Sequence, residues 1–169
     1  MVMAKIDFTR APPGGNWTLV ESKILTADTV YVDFLNLDIN TDGAYLLIAN
    51  VKVAAGNYVL LFVEDDYTLA NYRAQRFYMS GVNVAGDRVS QPEIGYQGIA
   101  DAGTMIVCYI TLDPFGSMRA LADINTYSPT TVIIWKNAVT SISTFSNITK
   151  LRVKGYFLSG SQLHLFRML

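Results

Sequence analysis

From Trp17 onward the apolar residues of this chain recur with a period of two, and that spacing commits the chain to β-structure. Val30, Val32 and Phe34 alternate with Tyr31 and Asp33. Leu151 and Val153 alternate with Lys150, Arg152 and Lys154. Such alternation predicts strands with one buried and one wet face, the basic trio lying on the wet one. Residues 45–53, 58–63, 105–112 and 132–135 are apolar on both faces. Two-sided burial predicts a second sheet on one side and another cover, such as a neighbouring subunit, on the other. Only residues 70–78 admit a helical turn, and they alternate as well, so they read equally as a strand. Turn signals stand at Asn40-Thr-Asp-Gly43, Ala55-Gly-Asn57, Gly81, Ala85-Gly-Asp87, Asp113-Pro-Phe-Gly116 and Ser159-Gly160. Eight or so short strands so punctuated predict an all-β fold: one antiparallel β-sandwich of the jelly-roll kind over residues 17–169. Its last strand runs to Leu169, which predicts a terminus built into the core. Residues 1–16 read as an extended arm, because Pro12, Pro13, Gly14 and Gly15 exclude regular structure.

A length of 169 residues suits one domain with a sizeable core. Charged residues make up only 16% of it, against roughly 25% in ordinary soluble domains, so part of the surface is expected to be covered by partners. A net charge of -1 gives no electrostatic case for nucleic acid or an anionic membrane. No apolar run approaches the roughly 20 residues of a membrane helix. The opening Met1-Val-Met-Ala-Lys-Ile-Asp has no secretory core, so the chain is expected to be made in a cytoplasm. The sequons at Asn16 and Asn147 then read as chance matches. Cys108 has no disulfide partner and reads as an inert core residue.

The chemistry-bearing residues are few. His164 is the sole histidine, and no second base, Gly-rich phosphate loop or His/Cys cluster accompanies it; neither an enzyme nor a cofactor is expected. Asp38, Asn40 and Asp42 match the first ligands of a calcium loop, but position twelve is Ala49 where a bidentate carboxylate belongs. A turn whose Asx side chains bond their own backbone fits better. The run Glu64-Asp-Asp-Tyr67 through Tyr78 mixes acids, amides, arginines and aromatics. Tyr67, Asn71, Tyr72, Arg73, Arg76 and Phe77 suit either a sugar site or a protein interface, and Trp17 is a further interface candidate.

The ends and middle together resemble a family of small structural proteins of tailed bacteriophages and prophages. The resemblance rests on Trp17-Thr-Leu-Val-Glu21, the strand–Tyr45–strand pattern over 30–53, Asn71-Tyr72-Arg73-Ala-Gln75, Val139-Thr-Ser-Ile142 and the closing Gly160-Ser161 segment through Leu165-Phe166. It spans residues 17–169. Residues 60–66 replace an Asn-Gly-Asp turn common in the family, and the tail ends Phe-Arg-Met-Leu. The resemblance implies a jelly-roll-like virion component on the head, tail or fibre. The expectation is a trimeric capsid decoration or head-fibre-like module, partnered by other virion proteins such as the major capsid protein. The alternative is a tail module binding a host-surface glycan.

Overall fold

A computed structural model describes residues 16–54, 56–80, 83–97, 103–127 and 132–168. The expected arm falls outside them but for Asn16, as does the turn expected at Gly81. Twelve strands stand among the described residues: β1 (Trp17–Ile24), β2 (Thr29–Phe34), β3 (Ala44–Lys52), β4 (Asn57–Val63), β5 (Tyr72–Ser80), β6 (Asn83–Val89), β7 (Glu93–Gln97), β8 (Gly103–Leu112), β9 (Ser117–Tyr127), β10 (Val132–Thr144), β11 (Leu151–Phe157) and β12 (Gln162–Met168). They form two antiparallel sheets packed as a sandwich, one of eight strands ordered β1-β12-β3-β8-β9-β10-β5-β6 and one of four ordered β2-β11-β4-β7.

Without β5, β6, β9 and β10, the remaining eight strands read β1-β12-β3-β8 and β2-β11-β4-β7. That is the pair of four-stranded sheets of a jelly roll. Two inserted strand pairs, β5–β6 and β9–β10, lengthen one sheet only, joined where β10 pairs with β5. The expected count of about eight strands therefore fits the jelly roll alone. Part of the difference lies at Ala85-Gly-Asp87, which reads as a turn and proves to be the middle of β6. Gly86 pairs with Phe77, and a Cβ there would stand 3.0 Å from the Arg76 carbonyl oxygen. The glycine marks a close approach of strands rather than a reversal.

The core lies between the sheets. Phe34, Leu61, Val153 and Phe157 meet Tyr45, Leu47, Ile106, Ile110 and Leu165, all essentially inaccessible. Each such side chain contributes about 1.5–3 kcal/mol. Cys108 is fully buried and its thiol pKa is pushed up by desolvation, as an inert core cysteine requires. Gly95 lets β7 lie close against the larger sheet, since a Cβ there would stand 2.8 Å from Ile106 Cδ1.

β3 is buried on both faces, as its composition requires. Its outward Ala44, Leu46 and Ile48 pack with Trp17, Phe166 and Val107. The Trp17 ring lies edge-on to Tyr109 at 5.3 Å. Trp17, expected at an interface, is thus buried against its own chain. The turn expected at residues 40–43 closes instead as a single helical turn, α1 (Ile39–Asp42). Asp38 caps it through Thr41, and Gly43, at φ 73, ends it. Among the described residues no helix is long and apolar enough to cross a membrane.

Candidate functional site

Alternation along the four added strands sets two faces. In β10, Trp135, Asn137, Val139 and Ser141 point inward, and Ile134, Lys136, Ala138 and Thr140 point outward. In β5, Tyr72 and Ala74 point inward, and Arg73, Gln75, Phe77 and Met79 point outward.

The strand register lays the outward side chains in rows across the sheet. Arg119, Thr140 and Arg73 form one row. Leu121, Ala138, Gln75 and Arg88 form the next. Asp123, Lys136, Phe77 and Gly86 form the third, and Asn125, Ile134, Met79 and Val84 the fourth. The face therefore runs from arginines at one end to apolar side chains at the other. Val84 is 66% exposed, Leu121 64% and Phe77 55%, values that place them on a free surface. A trough of about 820 Å³ crosses the strands over Ala138, with Arg73, Arg88 and Arg119 on its walls. A second hollow of about 430 Å³ shares Gln75, Leu121 and Ala138 with it and continues past Phe77 and Lys136. The short side chain of Ala138, between Leu121 and Gln75, keeps the hollow open.

The inner side of these strands is filled by aromatic and ionic contacts. Tyr78 stacks on Trp135 at 4.8 Å, and Tyr96 leans on the same indole at 5.4 Å. Arg76 holds Asp87 through Nε at 2.6 Å and Glu93 through Nη1 at 3.0 Å. The Glu93 carboxyl is inaccessible, and burial raises its pKa while Gln91 and Arg76 oppose the rise. The Asn137 amide donates to the Glu93 carbonyl at 3.0 Å.

Charge on the outer face is only partly compensated. Arg119 is paired with Asp113 at 2.8 Å. Lys136 is paired with Asp123 at 2.7 Å. Arg73 donates only to the Ala70 and Tyr72 carbonyls, each at 2.8 Å. Among the described residues the side chains of Arg88 and Gln75 have no hydrogen-bond partner.

The residues singled out from sequence do not converge. Arg73 and Phe77 lie on this face. Tyr72 is buried within the sandwich, its hydroxyl donating to the Asp66 carbonyl and accepting from the Val63 amide; burial pushes its pKa up to about 12. Arg76 is the inner brace just described. Asn71 closes the acidic loop by donating to both Asp66 carboxylate oxygens. Tyr67 lies on the far sheet, where the Arg152 guanidinium sits 4.6 Å from its ring and 4.3 Å from that of Tyr31. There Arg152 donates to both oxygens of Asp33 at 2.6 Å, and this guanidinium holds the carboxyl below its usual range. The basic residues at and before the start of β11 thus carry two ion pairs, Lys150 with Asp65 and Arg152 with Asp33, and an aromatic clamp on the wet face. Tyr72 and Arg76 turn into the sandwich while Tyr67 lies over the four-stranded sheet, so the three do not share one surface.

The calcium-like residues are turned onto donors of the chain. Asp38 accepts from Thr41 and Asn147, Asn40 donates to the Ser146 carbonyl, and Asp42 accepts from Tyr45 and Arg167. Among the described residues no group of three or more His, Cys, Asp and Glu side chains is placed to hold a metal. His164 is buried on the outer side of β12, its Nδ1 2.9 Å from the Ser22 hydroxyl. Leu121, Ala138, Gln75, Arg88 and Arg119 were not legible as a set. Their outward alternation is visible in sequence, but their adjacency depends on the β10–β5 pairing.

Compared with protein-family models, curated proteins and solved structures, the chain matches none.

Proposed function

We propose that the chain is a non-enzymatic structural component of a tailed-phage particle, a decoration or head-fibre-like module that docks through the outer face of β9, β10, β5 and β6. The observation carrying this reading is the exposed apolar set Phe77, Met79, Val84 and Ile134, adjacent in the strand register, with Leu121 beyond the Lys136–Asp123 pair, on strands that the jelly roll does not need. Contiguous exposed apolar surface of this kind marks interaction sites.

Burying five such side chains completely is worth about 1.5–3 kcal/mol each, and about half their surface is already covered. What remains, on the order of 4–8 kcal/mol, is near the lower end of the cost of association, about 4–15 kcal/mol. One contact is therefore marginal, whereas the same contact repeated in a trimer or on a lattice holds firmly. Repeated contacts to a shell protein fit that energetic balance.

The experiment is mass spectrometry of particles purified from the strain encoding the chain, with wild type and a Phe77→Asp/Ile134→Asp variant. Wild type is expected in the particles and the variant is expected to be lost from them. A wild-type chain that stays monomeric with no affinity for particles refutes the proposal, as does undiminished incorporation of the variant.

A further inference from the structure

Resting on the reading that this face docks a protein, we infer that the partner presents an extended segment alternating acidic and apolar residues, laid across β9, β10, β5 and β6 in the arginine-rimmed trough. Its polarity follows from the uncompensated charge. Arg88 has no partner among the described residues and Arg73 meets only neutral carbonyls, so two cationic forks border a hollow floored by Ala138 and Leu121. Guanidinium groups bind carboxylates bidentately, and low-dielectric walls focus their field. Gln75, in the middle of the trough, offers an unused amide donor and acceptor to a passing backbone.

The size of the trough sets the length of the segment. Three inter-strand steps of about 4.8 Å make roughly 14 Å, which four or five extended residues span. The floor decides between polypeptide and glycan. Ala138 and Leu121 line the trough and its continuation runs past Phe77, and these apolar side chains ask for apolar partners that an acidic sugar chain lacks.

The test uses the full chain and three probes: a capped octapeptide alternating Glu with Leu, its Lys-for-Glu counterpart, and tetragalacturonate as an acidic glycan. Binding is read from amide NMR shifts and titration calorimetry at low and high salt. The Glu peptide is expected to bind, to shift Gln75, Arg88 and Ala138, and to weaken as salt rises. The Lys peptide is expected not to bind. Arg88→Glu, at an exposed residue whose side chain has no partner among the described residues, is expected to keep the melting temperature and weaken the Glu peptide by about tenfold or more. Ala138→Trp fills the trough and is expected to abolish binding. No binding of the Glu peptide, equal binding by Arg88→Glu, or tetragalacturonate binding in its place each overturns the inference. The two proposals fail separately. Particles that lose Phe77→Asp/Ile134→Asp but keep Arg88→Glu at all salt concentrations leave the docking reading standing and remove the acidic segment.

Discussion

Arg76→Met separates a structural arginine from a ligand-binding one. The Arg76 guanidinium stands 3.0 Å from the Glu93 carboxylate, which is inaccessible to solvent. At an effective dielectric of about 20, unit charges at that separation attract by roughly 5–6 kcal/mol. Desolvation offsets part of this, and removing one member of a buried pair typically costs about 3–5 kcal/mol. Burial already lifts Glu93 above its ordinary 4.5, and losing Arg76 lifts it further. A carboxyl raised in the folded state supports the fold below its unfolded pKa, and that support is lost as pH rises through the folded value. The deficit of the variant therefore grows upward from about pH 4.5. Urea unfolding is expected to show a loss of about 3 kcal/mol or more at pH 7, shrinking to about 1 kcal/mol near pH 4, where Glu93 is neutral and only the Asp87 contact and packing are missed. A loss below about 1 kcal/mol at pH 7, or an equal loss at both pH values, refutes the role of Arg76 as the brace of a buried carboxylate.

Other expectations concern single features. Burial lowers the His164 pKa, so the fold loses support as pH falls below 6.5 through its folded value; thermal melts from pH 7.5 to 5 should steepen in wild type and flatten in His164→Gln. Gly116 has φ 84, and an added Cβ would stand 2.8 Å from the Phe145 carbonyl oxygen, so Gly116→Ala should cost about 2–3 kcal/mol, a melting-temperature drop of about 5–10 °C by calorimetry. Phe77→Ser with Val84→Ser should change unfolding free energy by less than about 1 kcal/mol while reducing binding of an apolar dye, because both side chains already face water.

The period-two pattern carried the sandwich, the two-sided burial of β3 and the core placement of Cys108. It could not show that Ala85-Gly-Asp87 is a strand interior, because the reason for Gly86 is a tertiary approach to the Arg76 backbone. The aromatic and polar run at residues 67–77 was read as one site, but β5 alternates through it. Tyr72 and Arg76 consequently point inward while Arg73 and Phe77 point outward, and Tyr67 stands in the loop after β4, packed over Arg152 of the other sheet. Only pairing with β10 and β6 shows which of its side chains meet others on a shared surface, and the β10 partners lie more than fifty residues away in sequence.

The most direct measurement of the proposed docking is an electron cryo-microscopy map of the particle that carries the chain. The map should place the outer face of β9, β10, β5 and β6 against a neighbouring subunit, with Phe77, Met79 and Ile134 in the contact and the face of Tyr31 and Arg152 toward solvent. A map with the Phe77 face bare and another surface in contact, or a particle without the chain, contradicts it.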